Sequence, residues 1–385
     1  MRIAILTTDK READHDYARP EPLAGHAPAA LLEGFALLPE IEVHMVSCLK
    51  KPVNSPAKIA PNIFYHGLQV SPLGWMRTGY LGCIRATRKK LREIRPDIVH
   101  GQGTERDCGI SAAFSGFPNV LTIHGNMKAI AENFQSRPGS FHWLAAQLET
   151  FALKHVTGAF CNSAYTEKQV APRAKKTWRV ANAIQAEFFR PIAPKPSRTR
   201  PVLLNAGTTL PYKQQLELLG MARQLHARGL RFEFQFAGGL GTGTEYGAAF
   251  ARELAQAESA GYARHLGLLS PAELRNAMDA ADALVHFPTE EAFGLVVAEA
   301  LARNLKLFAA TTGGIVDIAE GVTDAELFPA ADFVGLENAI ARWLAAGCPG
   351  QSNAAGLMQA RYHPKIIAQR HLEIYLDILG PQRKA

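Results

Sequence analysis

The chain has 385 residues, 47% hydrophobic and 20% charged, a length that suits two domains and a composition that excludes disordered and collagen-like chains. Its five cysteines (Cys48, Cys83, Cys108, Cys161, Cys348) form no C-x-x-C pair and its 13 histidines no H-E-x-x-H pattern, so we expect no disulfide framework, no protein-built metal centre and a reducing, cytoplasmic compartment. The net charge of +7 is uneven: residues 1–190 hold 24 Lys+Arg against 16 Asp+Glu, and the remainder 18 against 19, which turns the first half toward an anionic partner.

In chain order, MRIAIL reads as a first strand, too briefly apolar for a signal peptide. No later apolar run approaches the roughly 18 residues of a membrane span. LLEGFALL, VHMVS, a helix over 81–95, DIVH and NVLTIH then alternate helical and extended patterns, the mark of parallel βαβ units. The strand GAFCNS precedes a helix capped by Ser163. The stretch 191–201, PIAPKPSRTRP, has four prolines and three basic residues and reads as a linker.

The pattern restarts beyond it. PVLLNAG, RFEFQFAGG, ALVHFP and LKLFAA read as strands, with QLELLGMARQLHARG and LVVAEALARN as helices between them. KIIAQRHLEIYLDIL has the apolar spacing of an amphipathic helix. The expected organisation is an N-terminal domain over 1–190, with the helix 365–380 packing back on it, and a C-terminal domain over 191–364.

The segment 286–304, HFPTEEAFGLVVAEALARN, carries the most chemistry. A strand ends near Phe287, a loop holds Glu290, Glu291, Phe293 and Gly294, and a helix starts at about Gly294. Its N-terminal amides suit a phosphate or a sugar hydroxyl. Glu291 and Glu299, as acceptors, suit vicinal hydroxyls. Acids complementing a helix dipole account equally for Glu290 and Glu291, and an exposed helical position for Glu299.

Glu291-Ala-Phe293-Gly294-Leu295-x-x-x-Glu299-Ala300 resembles the E-x7-E signature of glycosyltransferase family 4, retaining enzymes of the GT-B fold. PDIVHGQG, NVLTIHG, AFCNS, VANAI, LLNAGTTLPYK, FQFAGG, HLGLLS and TTGGIVDI fit the same family in order, over nearly the whole chain. The resemblance implies two Rossmann-like, doubly wound parallel-sheet domains facing a central cleft. It implies a nucleotide diphosphate sugar as donor and a glycan, lipid-linked or other small acceptor, with no metal and no cofactor.

The same resemblance assigns residues. His124, Glu291 and Lys213 fall at the reaction centre. Thr208, Lys213, Gly238, Leu268, Glu291, Phe293, Gly294, Leu295 and Glu299 fall on the donor, Glu299 at the ribose and Lys213 at the diphosphate. Gly25, Glu105 and Asn126 are read on the acceptor side, although Glu105, in HGQGTERD after a strand, reads equally as a helix-start acid. The chain departs from the family where Thr208 replaces a phosphate-binding arginine and Gln214 a glycine. It departs again at Ala181-Asn182-Ala183, at Asp317, and at Ala24-Gly25 in place of a glycine pair.

A phosphorylase or nucleotide-sugar epimerase of the same architecture, and a non-catalytic sugar-nucleotide binder, are the competing readings. LTTDKREAD lacks the G-x-G-x-x-G of a nicotinamide enzyme. Too few aromatics interleave the basic residues for a nucleic-acid surface. The basic helix 81–95, with Arg85, Arg88, Lys89, Lys90, Arg92 and Arg95 beside Trp75 and Tyr80, reads instead as a peripheral contact with a membrane's inner surface, or as an ordinary solvated face.

Overall fold

The structure is a computed structural model that describes residues 1–192, 198–350 and 352–380. It divides into unit one, residues 1–183 with 363–385, and unit two, residues 184–362.

Unit one holds the strands β1 (Arg2–Leu6), β2 (Glu42–Leu49), β3 (Lys58–Ala60), β4 (Ile63–Gln69), β5 (Ile98–Gln102), β6 (Asn119–Ile123), β7 (Gly158–Cys161) and β8 (Thr177–Arg179) in the order β3-β4-β2-β1-β5-β6-β7-β8. Neighbouring strands are parallel except for antiparallel β3. The inner strands are buried on both faces, which is why they read as apolar runs.

Unit two holds β9 (Val202–Ala206), β10 (Glu233–Ala237), β11 (Ala263–Gly267), β12 (Ala283–His286), β13 (Lys306–Ala310) and β14 (Ala325–Phe328), in the order β11-β10-β9-β12-β13-β14 and parallel throughout. In each sheet the order reverses beside the first strand. At such a switch point the loops leaving the carboxyl ends of the strands part to form a crevice.

The C-terminal helix Pro364–Leu379 belongs to unit one. It crosses the helix His26–Ala36 at Gly34, where any Cβ would collide with the Pro364 carbonyl. Its Tyr375 and His371 reach the core, Tyr375 bonding His100 Nδ1 on β5 and stacking at 6.5 Å on Phe35. His100 Nε2 lies 2.7 Å from Thr122 Oγ1 on β6.

The division at Ala183/Ile184 corrects the expected boundary at 190/191. Arg303, 3% exposed, binds Asp279 with Nε at 2.7 Å and donates from Nη1 and Nη2 to the carbonyls of Phe188, Arg190 and Pro191. Those bonds tie the approach to the proline-rich stretch into unit two. Of the stretch read as a linker, residues 193–197 lie outside the described residues.

No helix among the described residues is long and apolar enough to cross a membrane. None of the five cysteines is in a disulfide, but Cys48, Cys83 and Asp107, remote in sequence, place their ligating atoms within 4.8 Å of one another. The Cys83 hydrogen bond and burial hold the Cys48 thiol protonated.

Candidate active site

In unit two the loop after β12 meets the loop after β9. Lys213 closes a short 3-10 turn, Pro211–Lys213, and its Nζ lies 2.5 Å from Glu291 Oε2. His286, the last residue of β12, approaches the same oxygen at 3.0 Å. Gln214, with φ +55, donates to the Phe287 carbonyl at 2.8 Å and locks the two loops together. Burial alone would raise the Glu291 carboxyl, but the Lys213 ammonium and His286 outweigh it and hold it at about 2. Burial keeps His286 itself below the ordinary imidazole range.

Glu299 is different. It sits in the second turn of the helix Leu295–Ala302, 4% exposed, and its carboxyl has no hydrogen-bond or ion-pair partner among the described residues. Burial pushes it up to about 8. The alternative account, an exposed helical glutamate, does not hold, because the helix is apolar on nearly every side and Glu299 lies on a covered one.

Gly294 begins that helix in the left-handed region, φ +100, which favours glycine. A Cβ on Gly313 would strike the Glu291 carbonyl, and Gly314 donates to that carbonyl at 3.1 Å. Phe293 is 3% exposed with its ring edge-on to Tyr362, so its amide and not its side chain is free for a ligand. Leu295 follows as the first helical residue.

The remaining residues expected on the donor side lie on other loops of unit two. Thr208 is exposed, its carbonyl accepting from Gln215. Gly238, φ +133, passes so close to Gly207 that a Cβ would meet the Gly207 carbonyl. Leu268 is 82% exposed, beside Gly239.

In unit one, His124 follows β6, its Nε2 2.9 Å from Gln102 Oε1. Burial lowers it to about 4, so the ring is neutral at pH 7. Glu105 accepts from the amide of Gly125 at 3.1 Å, and burial raises its carboxyl. Asn126 caps the helix Met127–Asn133, accepting from Lys128 and Ala129 and from Arg173 Nη2 at 3.1 Å. That commits its amide oxygen to structure. Gly25 stands on another loop, N-terminal to His26–Ala36, its carbonyl accepting from Ala29.

Several supporting residues left no signal in the sequence. Glu149, fully buried, accepts from Thr104 at 2.7 Å and Met127 at 2.9 Å and pairs with Arg173 at 2.8 Å, joining the loops that carry Glu105 and His124. Arg11, fully buried against Asp9 at 2.7 Å, donates to the carbonyls of Arg19 and Pro20 and so anchors the loop leading to Gly25. Neither lies in a recognisable motif. His286 stood in the E-x7-E stretch, where its strand-end position was the available clue.

Residues 36–188 match the family model described as Glycosyltransferase Family 4, and residues 188–354 the model described as Glycosyl transferases group 1. No curated protein sequence matches the chain. Among solved structures, sucrose-phosphate synthase from Thermosynechococcus elongatus is similar at 18% identity and a TM-score of 0.76, over 97% of this chain and 98% of that one. HepE of Anabaena, solved with UDP-glucose, is similar at 16% and 0.71, over 97% and 99%. The lipopolysaccharide outer core galactosyltransferase WaaB is similar at 16% and 0.69, over the same shares. With two parallel-sheet α/β domains and the two matched models together spanning residues 36–354, the chain is a glycosyltransferase of the GT-B fold, a Glycosyltransferase Family 4 domain followed by a group 1 domain.

Proposed function

We propose that this chain is a retaining, metal-independent glycosyltransferase, taking a hexose from a nucleoside diphosphate donor bound by unit two. It passes the sugar to a glycan, lipid-linked or other small hydroxyl acceptor bound by unit one. The observation that carries this is the contrast between two carboxyls eight positions apart: Glu291, held ionised by Lys213 and His286, and Glu299, buried with no partner. A carboxyl with so little exposure and no partner of its own is open to a ligand that donates to it. The vicinal hydroxyls of a ribose do so. HepE, a protein of the same fold, binds UDP-glucose, which supports a nucleotide sugar as donor.

As the glycosidic bond breaks, charge develops on the leaving diphosphate. Lys213 and the amides of Phe293, Gly294 and Leu295 supply fixed positive ends for it. In the free protein Glu291 neutralises Lys213. A bound diphosphate competes for the ammonium and releases Glu291, still held by His286, to accept from a sugar hydroxyl. Leu268, apolar and exposed, offers a surface to the base. Neutral His124 acts as a hydrogen-bonding group and not as a cation. The departing phosphate takes the acceptor's proton, so no enzymic nucleophile is needed. Five cysteines without a disulfide fit a reducing, cytoplasmic setting.

A thermal-shift panel of UDP-, GDP- and ADP-sugars in EDTA tests the donor site, since a ligand selective for the folded state raises its apparent stability. One nucleotide series should raise Tm and support transfer without added metal, and NMR of the product should show the donor's anomeric configuration kept. Dependence on magnesium or manganese would refute metal independence, and an inverted product the retaining route.

A further inference from the structure

Beyond the transfer reaction, we infer that unit one docks on an anionic membrane surface through two leucines and an arginine stripe at the start of the helix Leu81–Ile94. The aromatics that the sequence placed beside this helix do not serve. Trp75 and Tyr80 are 7% and 2% exposed and pack edge-on in the core at 6.2 Å. What the structure exposes instead is Leu73, 80%, and Leu81, 50%. Single exposed leucines are ordinary on a protein surface. These two are held side by side, because each precedes a glycine, Gly74 or Gly82, and the two glycine backbones touch so closely that neither admits a Cβ.

The pair is rigidly mounted. Gly74 donates to the Ser71 carbonyl at 2.8 Å, the Thr78 hydroxyl to that of Leu73 at 3.0 Å, and the Trp75 indole to that of Val70 at 3.2 Å. Leu81, Arg85, Arg88 and Arg92 follow at spacings of four, three and four and therefore share one stripe of the helix. Ile84, Thr87, Leu91 and Ile94 bury the opposite side. Arg77, Arg85, Arg88, Lys89 and Arg92 are all exposed. The side chains of Arg77, Arg85, Arg88 and Arg92 have no hydrogen bond or ion pair among the described residues, whereas Lys90 is taken by Glu93.

Unpaired cations around an apolar tip match a layer of anionic headgroups over acyl chains. Neither a short apolar contact nor a basic patch alone gives firm membrane attachment, but the two together do. The helix follows β4 and so begins at the carboxyl edge of the sheet. Arg106, next to Glu105, lies 5.3 Å over the Trp75 ring, so the tip adjoins the loop carrying Glu105. A lipid-linked acceptor would be collected where unit one uses it.

Co-sedimentation with vesicles of phosphatidylcholine, alone or mixed with phosphatidylglycerol, tests this with no donor present and therefore independently of the transfer reaction. The full chain should bind only the mixed vesicles, and less at high salt. The triple change Arg85→Gln, Arg88→Gln, Arg92→Gln should weaken binding about a hundredfold, at about fivefold per charge. Leu73→Ser with Leu81→Ser should weaken it about tenfold or more, with circular dichroism unchanged in both variants. Failure to bind mixed vesicles, or binding that neither variant alters, overturns the inference. So does loss of binding in the arginine variant with the leucine variant unaffected, which would mark a surface for soluble polyanions.

Discussion

If Glu299 holds the donor as proposed, donor binding is tied to protons. Its folded value of about 8 stands above the ordinary 4.5. Below 4.5 the carboxyl is neutral in folded and unfolded chains alike, and burial costs little. As pH rises from 4.5 through about 8 the unfolded chain ionises first, so stability falls and then levels off. Glu299→Gln should remove that slope. Its advantage in unfolding free energy over the parent should widen across this window, reaching about a few kcal/mol, and a constant difference measured from pH 5 to 9 would refute the assignment. A ribose donating two hydrogen bonds favours the ionised form, so nucleotide binding should release protons at pH 7 and tighten toward pH 8. Calorimetry in buffers of different ionisation enthalpy reads this directly. Glu299→Gln should abolish the buffer dependence.

Lys213 is expected to act on a different step. With Thr208 where the family has an arginine, it is the cation that the resemblance places at the diphosphate. Removing a donor aimed at developing charge costs about a hundredfold or more in rate. Lys213→Ala should lower turnover by that order. Glu299→Ala should chiefly weaken nucleotide binding, because ribose contacts change little as the glycosidic bond breaks. Thr208 is exposed, so Thr208→Arg has room and should tighten donor binding. Near-normal kcat in purified Lys213→Ala would overturn the phosphate assignment.

At the scale of elements, what the sequence made legible follows burial. β1, β5, β6, β7, β9, β12 and β13 are covered on both faces and announce themselves as apolar runs. The edge strands β3, β8, β11 and β14 are short and half-covered, with mixed patterns such as KIA and ARHLG that resemble loops. Glu291 and Lys213, 78 positions apart, were legible only through the family motif, since spacing says nothing about which loops meet. Glu149 and Arg173 were not legible, because a buried ion pair between a helix and a short turn has no local signature. One close approach is testable. The helices His26–Ala36 and Pro364–Leu379 cross over Gly34, where the Pro364 carbonyl occupies the place of a Cβ. Gly34→Ala should destabilise unit one by about 1–3 kcal/mol through overpacking. Denaturant unfolding measures it, and an unchanged midpoint would mean that the helices part without cost.

At the scale of the whole molecule, the two units differ in continuity. Unit two is a single segment, 184–362, with a core built from its own strands and helices, among them Phe234, Phe236, Phe250, Phe308 and Trp343. Unit one is completed only by chain from beyond residue 362. Ile367, Ala368, Ile374 and Tyr375 share a core cluster with Ile3, Phe35, Ile98 and Phe160. Phe160 stacks on Tyr375 at 6.0 Å and meets His371 edge-on at 5.0 Å. Without the last helix, His100 loses its Tyr375 partner in a fully buried position, and each large apolar side chain uncovered forfeits roughly 1.5–3 kcal/mol. Four such losses approach the whole stability of an ordinary domain. A chain ending at residue 362 should therefore keep a folded unit two and lose cooperative unfolding in unit one, while the segment 184–362 alone should fold. Limited proteolysis should spare unit two and digest residues 1–183 of the truncated chain, with amide exchange of β5 and β7 rising toward unprotected rates. If the truncated chain instead unfolded with both units' original transitions, the terminal helix would be an ornament on a self-sufficient domain, and adding the 363–380 peptide in trans would change nothing. The expected result is that the peptide restores protection to β5 and β7, because His371 and Tyr375 again pack against His100 and Phe160.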